Sequence, residues 1–367
     1  MKVILAAGGS GGHIFPSVAL ARELTGRGVK DIYFVASKRR LDKNILRDAG
    51  NKCFFLSENP MPYKLNLFNA AVFAFKLFAD AVVSFFIIAA IRPDVVVGFG
   101  GYSSGAVVRC AKIFNLPVII HEQNLVPGRA NKLLSKVVDK IAVSFPESSE
   151  HFAVSPGRIV HTGNPIRVEL LAKDRIEALK YLELSPERKT VLVMGGSQGS
   201  TFLNTTVSQA AGLIKEKKGD KVQFVHLAGK KDFEKIKQYY EEKKIPAKVY
   251  SFLDRIDKAY SACDIAISRS GAAAIFELAY YAKPMFLVPY PGKKNNQRYN
   301  AIYFSRKGAA VYKEEGDLAS GSIADEVLNI LDDPASLDRM CKRSGLLSNP
   351  QAGEKLADEV IKLSRKK

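Results

Sequence analysis

The sequence predicts an α/β protein of two domains, each built on a parallel sheet. Three observations predict it. Apolar, β-branched runs alternate with helix-patterned segments through all 367 residues. The runs are continuous in Val and Ile, as in strands buried on both faces. One device occurs twice, in "AAGGSGGHIFPS" (6–17) and "VLVMGGSQGSTFLN" (191–204): an apolar strand, Gly-Gly-Ser-x-Gly, then a helix. Its recurrence implies two domains of similar architecture with a cleft between them.

In chain order, the first half is expected to form strands at 2–7, 31–37, 94–99, 117–121, 140–145 and 159–162. The second half is expected to form them at 190–195, 222–228, 247–252, 264–268, 284–289 and 309–312. The helical segments between them supply the right-handed crossovers that parallel neighbours need. "TGNPIR" (162–167) punctuates the halves, and "GEKLADEVIKLSRKK" (353–367) reads as an amphipathic helix.

With 47% hydrophobic residues the chain can build a real core. A net charge of +18 suits nucleic acid, an anionic membrane surface or phosphorylated substrates, or else a lysine-rich solvated surface. No nucleic-acid module accompanies the charge, so nucleic acid is not an expected partner. Cys53, Cys110, Cys263 and Cys341 are far apart, which argues against a zinc site or a disulfide framework and fits a reducing cytoplasm. "MKVILAAGG" reads as a first strand, not a signal peptide.

Residues 67–91 are strongly apolar, interrupted by Lys76 and Asp80. A spanning helix needs about 20 apolar residues, and a central charge costs about 2.5–3.5 kcal/mol. Three readings stand: a span, a buried crossover helix, and a helix whose apolar face rests on a bilayer.

The glycine loops exclude two chemistries. An ATP-type P-loop needs Gly-x4-Gly-Lys-Ser/Thr, which does not occur. A dinucleotide fingerprint needs a third glycine where Ile14 stands, and an acidic residue after the second strand, which ends at Ser37. What remains is a loop of little bulk at a helix N-terminus, suited to an anion or a developing negative charge. His13 projects from it, and imidazole titrates near neutrality, which suits proton transfer. The second loop offers Ser197 and backbone amides to a phosphate. Arg167 follows the Gly-Asn-Pro break, where its guanidinium could reach a diphosphate or serve a surface ion pair.

Residues 264–301 read strand, Ser-Gly turn, helix, buried strand, polar loop, helix. Ser270 and Gly271 open the first of these helices toward a phosphate. Glu277 inside it is placed to accept two hydrogen bonds from a ribose diol, or is a plain exposed helix glutamate. Asn296 and Gln297 lie where sugar hydroxyls are read. Neither Asp-x-Asp nor His-Glu-x-x-His occurs, so no ligands for metal-dependent sugar transfer are visible.

Taken together, "GGSGGHIFPSVALAREL", "GGYSSG", "HEQNLVPGRANKLLSK", "GNPIR", "GGSQGSTFLN", "SRSGAAAIFELA" and "NQRYNA" resemble, in order and over nearly the whole chain, the MurG family of bacterial peptidoglycan glycosyltransferases. The resemblance implies a GT-B fold: two Rossmann-like, doubly wound parallel-sheet domains separated by a deep cleft. It implies an acceptor- and membrane-facing domain over 1–165, a UDP-GlcNAc-binding domain over 166–347, and a final helix, 348–367, that returns to the first domain. The implied reaction is an inverting, metal-independent transfer of GlcNAc from UDP-GlcNAc to lipid I, giving lipid II, with no cofactor. It takes place at the cytoplasmic membrane face, where the enzyme is peripheral and meets anionic lipid and cell-wall synthesis and division proteins.

By matching positions, the resemblance implies donor contacts from Ser10, Gly11, Gly12 and Asn124, with Arg167 and Ser197 on the diphosphate. Leu253 and the stretch Ala272, Ala273, Ala274, Ile275, Phe276 and Glu277 would hold uridine, with Glu277 on the ribose. Gln297 would read the GlcNAc hydroxyls. His13, or Glu122 in its place, would take the acceptor proton. The alternatives are a UDP-sugar transferase to another lipid such as diacylglycerol, and a UDP-GlcNAc 2-epimerase.

Overall fold

A computed structural model describes residues 1–48, 50–57, 67–167, 173–196, 198–292 and 296–365. The chain divides into two compact units, Met1–Val168 with Asn349–Lys367, and Glu169–Ser348.

The strands of the first unit are β1 (Lys2–Ala6), β2 (Asp31–Ser37), β3 (Lys52–Leu56), β4 (Val95–Gly98), β5 (Val118–Glu122), β6 (Lys140–Val143) and β7 (Ile159–His161). They form one parallel sheet in the order β3-β2-β1-β4-β5-β6-β7. Its helices are α1 (Gly11–Gly26), α2 (Arg40–Asp48), α3 (Leu67–Ile91), α4 (Gly101–Ile113) and α5 (Arg129–Leu134), together with the last helix of the chain, Ala352–Ser364. Both sheet faces are covered, and the two-residue period of β1 shows it. Val3 and Leu5 join the core made by α1 and the last helix, through Leu24, Leu356 and Val360. Ile4 and Ala6 join the core made by α3 and α4, through Ile88 and Val107.

Six of these seven strands match sequence expectation. β3 is the exception. It lies at the sheet edge, paired only with β2, and its burial alternates. A half-exposed edge strand, "KCFFL", does not carry the Val/Ile run of a central one.

In the second unit β8 (Lys189–Met194), β9 (Val222–Leu227), β10 (Ala247–Tyr250), β11 (Ile265–Ser268), β12 (Met285–Leu287) and β13 (Ala310–Tyr312) form a parallel sheet in the order β10-β9-β8-β11-β12-β13. Its helices are α6 (Arg175–Tyr181), α7 (Thr201–Lys218), α8 (Gly229–Glu242), α9 (Ile256–Ala262), α10 (Ala272–Tyr280), α11 (Gln297–Arg306), α12 (Ser320–Asp332) and α13 (Pro334–Leu346).

Strand order reverses between β1 and β4 in the first sheet and between β8 and β11 in the second. Loops leaving two such strands go to opposite faces and open a crevice at the carboxyl edge, where ligands of doubly wound sheets bind. Both glycine loops leave strands at these points.

The helix α3 is not a buried crossover. Only 22% of its most apolar window is buried. Asp80, Ser84, Ile87, Ile88 and Ile91 form its inner stripe, while Phe75, Phe78 and Phe86 stand 72, 68 and 65% exposed. Asp80 faces inward, where its carboxylate accepts from the Ser57 amide at 2.9 Å and from the Ser57 hydroxyl at 2.8 Å. Of the two charges that interrupt the apolar stretch in sequence, Asp80 is thus turned inward, while Lys76 is exposed.

Candidate active site

The first glycine loop is fixed from below. Gly9 has φ +87°, which favours glycine. Its amide donates to Asp42 Oδ2 at 2.8 Å, and its carbonyl accepts from Arg39 Nη1 at 2.7 Å. Asp42, fully buried, also accepts from the Ser37 hydroxyl. An acidic residue does follow the second strand, then, but on α2, with its carboxylate turned under the loop.

On top of the loop, Ser10 begins α1 with an extended backbone, and Gly11 and Gly12 supply the first helical amides at the positive end of the dipole. His13 Nδ1 lies 3.0 Å from the Gly8 carbonyl oxygen and 3.2 Å from Ser10 Oγ. A carbonyl only accepts, so Nδ1 carries the hydrogen and Nε2 the lone pair. The ring lies against Gly100 and Gly101, both at positive φ; a Cβ on Gly100 would come within 3.4 Å of Nε2. These glycines leave β4, so His13 occupies the point of strand reversal.

"HEQN" runs from the last two residues of β5 into the loop beyond it, and its His and Glu are bonded inward. His121 Nε2 donates to the Gly163 carbonyl at 3.0 Å, and Nδ1 accepts from Gln123 Nε2 at 3.1 Å. Burial holds the imidazole neutral, with its pKa lowered to about 4. Glu122 is 1% exposed. One oxygen accepts from the Asn124 amide at 2.9 Å and Asn124 Nδ2 at 3.2 Å; the other accepts from the Gly128 amide at 3.1 Å and Asn131 Nδ2 at 2.8 Å. These four donors tie Glu122 into the 124–131 loop. Arg167, beyond Gly163, lies with its guanidinium carbon 4.4 Å from the Phe15 ring centroid.

In the second unit the loop after β8 turns through Gly196 (φ +92°) and Gly199 (φ +79°) into Ser200, the N-cap of α7. A side chain on Gly199 would strike the Ala228 carbonyl at 2.3 Å. Ser197 lies outside the described residues. Arg269, leaving β11, donates from Nη2 to Ser200 Oγ at 2.6 Å and from Nη1 to the Pro289 carbonyl at 2.8 Å. It thus bridges the two strands between which this sheet reverses.

Glu277 is not an exposed helix glutamate. It is 5% exposed and accepts from the Tyr260 hydroxyl at 2.8 Å. Of the run 272–277, only Ala273 and Ala274 are half-open. Ile275 and Phe276 are turned inward, at 0 and 5% exposure, so their contribution to a ligand reduces to backbone at the start of α10. Leu253 is half-buried beside an exposed Phe252. Gln297 begins α11, and its Oε1 accepts from the Tyr290 amide at 3.1 Å. Its Nε2 stands 3.8 Å from where a Cβ on Gly271 would be. The Ser270 hydroxyl donates to the Gln297 carbonyl at 2.9 Å, tying the two helix starts together.

Sequence patterning does not single out Asp42, Phe15, Asn131, Arg269 and Tyr260. Phe15, Asn131 and Arg269 lie inside "GGSGGHIFPSVALAREL", "HEQNLVPGRANKLLSK" and "SRSGAAAIFELA"; Asp42 and Tyr260 carry no local signal.

The family model for the glycosyltransferase family 28 N-terminal domain matches residues 3–143, and that for the C-terminal domain matches residues 190–359. This chain belongs to glycosyltransferase family 28. Among its family 28 relatives is the UDP-N-acetylglucosamine–N-acetylmuramyl-(pentapeptide) pyrophosphoryl-undecaprenol N-acetylglucosamine transferase of Flavobacterium psychrophilum, 36% identical over 99% of this chain and 97% of the relative. The enzyme of the same name from Anaeromyxobacter dehalogenans is 35% identical over 100% of this chain and 94% of its own. In fold, family 28 membership agrees with the crystal structure of Acinetobacter baumannii MurG, at TM-score 0.77, 24% identity and coverage of 98 and 99%. The fold is GT-B.

Proposed function

We propose that this chain transfers GlcNAc from UDP-GlcNAc to the 4-hydroxyl of the muramyl residue in undecaprenyl-diphospho-MurNAc-pentapeptide, with inversion and without a metal. The full-length relatives at 35–36% identity, named for that transfer, support the substrate pair. The observation that carries the mechanism is the bond from His13 Nδ1 to the Gly8 carbonyl, which leaves Nε2 as the base.

The acceptor oxygen attacks C1 of GlcNAc from the face opposite UDP. The new C–O bond forms as the C1–phosphate oxygen bond breaks, and UDP leaves with the electron pair. His13 Nε2 takes the hydroxyl proton, while the Gly8 carbonyl holds Nδ1–H and steadies the imidazolium. In the second unit the amides opening α7 and α10 meet the charge that grows on the diphosphate. Glu277, held by Tyr260, takes the ribose hydroxyls, and Gln297 reads the sugar.

The enzyme works as a peripheral protein on the cytoplasmic face of the membrane. The exposed Phe75, Phe78 and Phe86 of α3 and the net charge of +18 both suit an anionic bilayer. Cell-wall synthesis and division proteins are its expected neighbours there.

The test is incubation with UDP-GlcNAc labelled in the sugar, a lipid I analogue, and EDTA. Label must pass to the lipid at undiminished rate. Label in an epimeric sugar, transfer only to diacylglycerol, or activity that needs magnesium or manganese would overturn the reading.

A further inference from the structure

We infer that Asp42 is a positioning residue for His13, and that it acts through the one peptide unit that lies between them. This rests on the reading of His13 as the base.

The connecting atoms belong to a single amide. The Gly9 N–H donates to Asp42 Oδ2 at 2.8 Å, and the Gly8 carbonyl oxygen receives His13 Nδ1–H at 3.0 Å. A trans peptide turns its N–H and its C=O to opposite sides. Carboxylate and imidazole therefore hold the Gly8–Gly9 amide from its two ends, and all of these groups lie in the first unit.

The fold brings Asp42 there from a distant part of the chain. β1 and β2 are neighbours, and just past β1 the Ala7 amide still donates to the Val35 carbonyl at 3.0 Å. The chain leaves β2 at Ser37 and turns into α2, whose first turn holds Asp42. Gly8 keeps the approach open: a Cβ there would stand 2.8 Å from the Ser37 amide nitrogen and 3.1 Å from Asp42 Oδ2. The side chain of Asp42 is wholly buried, and among the described residues its Oδ1 has no hydrogen-bond partner. Oδ2 carries the bonds, from the Gly9 amide and the Ser37 hydroxyl. Arg39 holds the next peptide unit, through the Gly9 carbonyl at 2.7 Å.

The chemistry follows from amide resonance. A carboxylate on the N–H draws that hydrogen toward itself and loads the carbonyl oxygen of the same amide with negative charge. The loaded oxygen is a stronger acceptor for Nδ1–H. It fixes the tautomer with the lone pair on Nε2, and it steadies the positive ring that forms when Nε2 takes a proton. No proton travels to Asp42. The carboxylate does through a peptide what it does by direct contact in an Asp–His pair.

The experiment pairs kinetics with nitrogen NMR of histidine-labelled enzyme, and thermal unfolding is measured beside each variant. His13→Ala assigns the His13 signal among the five histidines. Asp42→Asn keeps an oxygen for Gly9 and Ser37 but removes the charge. It is expected to lower the ratio of Nδ1–H to Nε2–H tautomer at His13 by about 3–10-fold, and kcat by a similar factor, with KM for UDP-GlcNAc within about 2-fold. In the His13→Ala background Asp42→Asn lowers kcat no further. Ser10 Oγ also lies 3.2 Å from Nδ1, and Ser10→Ala is expected to keep the Nδ1–H tautomer. An Asp42→Asn enzyme with the wild-type tautomer ratio overturns the proposal. So does a fall in kcat of the same size with and without His13, or a tautomer that depends on Ser10 and not on Asp42. If His13→Ala itself leaves kcat unchanged, the reading of His13 as the base fails, and the tautomer ratio in Asp42→Asn still decides the positioning role.

Discussion

Gly101 closes on the Gly8 carbonyl: a β-carbon at residue 101 would stand 2.7 Å from that oxygen. It is the same oxygen that receives His13 Nδ1–H. Replacing His13 by Ala is expected to lower kcat by about 10²–10⁴-fold, with UDP-GlcNAc KM within a few-fold. Gly101→Ala adds a single methyl, which must push the carbonyl aside and tilt the imidazole. A loss of about 10²-fold in kcat is expected. Unaltered turnover in either variant would remove Nε2 from the mechanism.

Glu122 separates a scaffold from a base. Glu122→Gln sets an amide N–H2 against donors now bound by carboxylate oxygen, those of Gly128 and Asn131 or of Asn124. The cost is about 1–3 kcal/mol of stability. Thermal unfolding should therefore fall together with activity. A variant that is inactive at wild-type stability would return Glu122 to proton transfer.

Tyr260 holds the carboxylate of Glu277, the proposed ribose contact. Removing its hydroxyl in Tyr260→Phe takes away one hydrogen bond to a buried carboxylate and lets that group move. UDP-GlcNAc KM should rise about 3–10-fold with kcat nearly unchanged. An unaffected KM would show that Glu277 needs no such support.

Two histidines set an acid limit. Burial lowers His121 to about 4 and His226 to about 3. His226 is held between the Tyr240 hydroxyl and Asn204 Oδ1, each at 3.1 Å. Above the unfolded value of about 6.5 both are neutral in either state, and native stability is complete. Below it the unfolded chain takes protons that the native chain refuses. Stability then falls, by up to about 1.4 kcal/mol per pH unit for each group, and levels below about pH 4 and 3. Ring proton resonances of His121 and His226 should keep their neutral shifts at pH 5, and the denaturation midpoint should be lower at pH 5 than at pH 8. Charged-form shifts at pH 5 would contradict the burial argument.

For the membrane, serine at Phe75, Phe78 and Phe86 together should abolish co-sedimentation with phosphatidylglycerol or cardiolipin vesicles at low salt. Each buried Phe is worth about 1.5–3 kcal/mol. Because the inner stripe of α3 is untouched, thermal unfolding should not change. Vesicle binding equal to wild type would place the contact elsewhere.

Central strands were legible in the sequence because burial on both faces writes itself as Val/Ile runs, "DVVVGF" for β4 being one. The edge strand β3 was not, because one exposed side breaks the run. The place of His13, a lone imidazole among glycines, was legible. The hydrogen bonding of Glu122 was not, because four donors, including the backbone of Gly128 and the side chain of Asn131, come to it only when the loop folds back. Asp80 read as a flaw in an apolar helix because hydropathy averages over faces; its partner Ser57 is 23 residues away. Tyr260 left no trace, since an aromatic in a helix is far more often core than support.

The two glycine loops are near copies in letters, yet each rests on charges of its own. The first has the buried carboxylate of Asp42 pressed to its underside and the Arg39 guanidinium on its Gly9 carbonyl; the second has the guanidinium of Arg269 at its helix cap, itself paired with Glu315 at 2.6 Å. Taking away Glu315 alone would strand a nearly buried cation, a change felt at the second turn although Glu315 is remote from it in sequence.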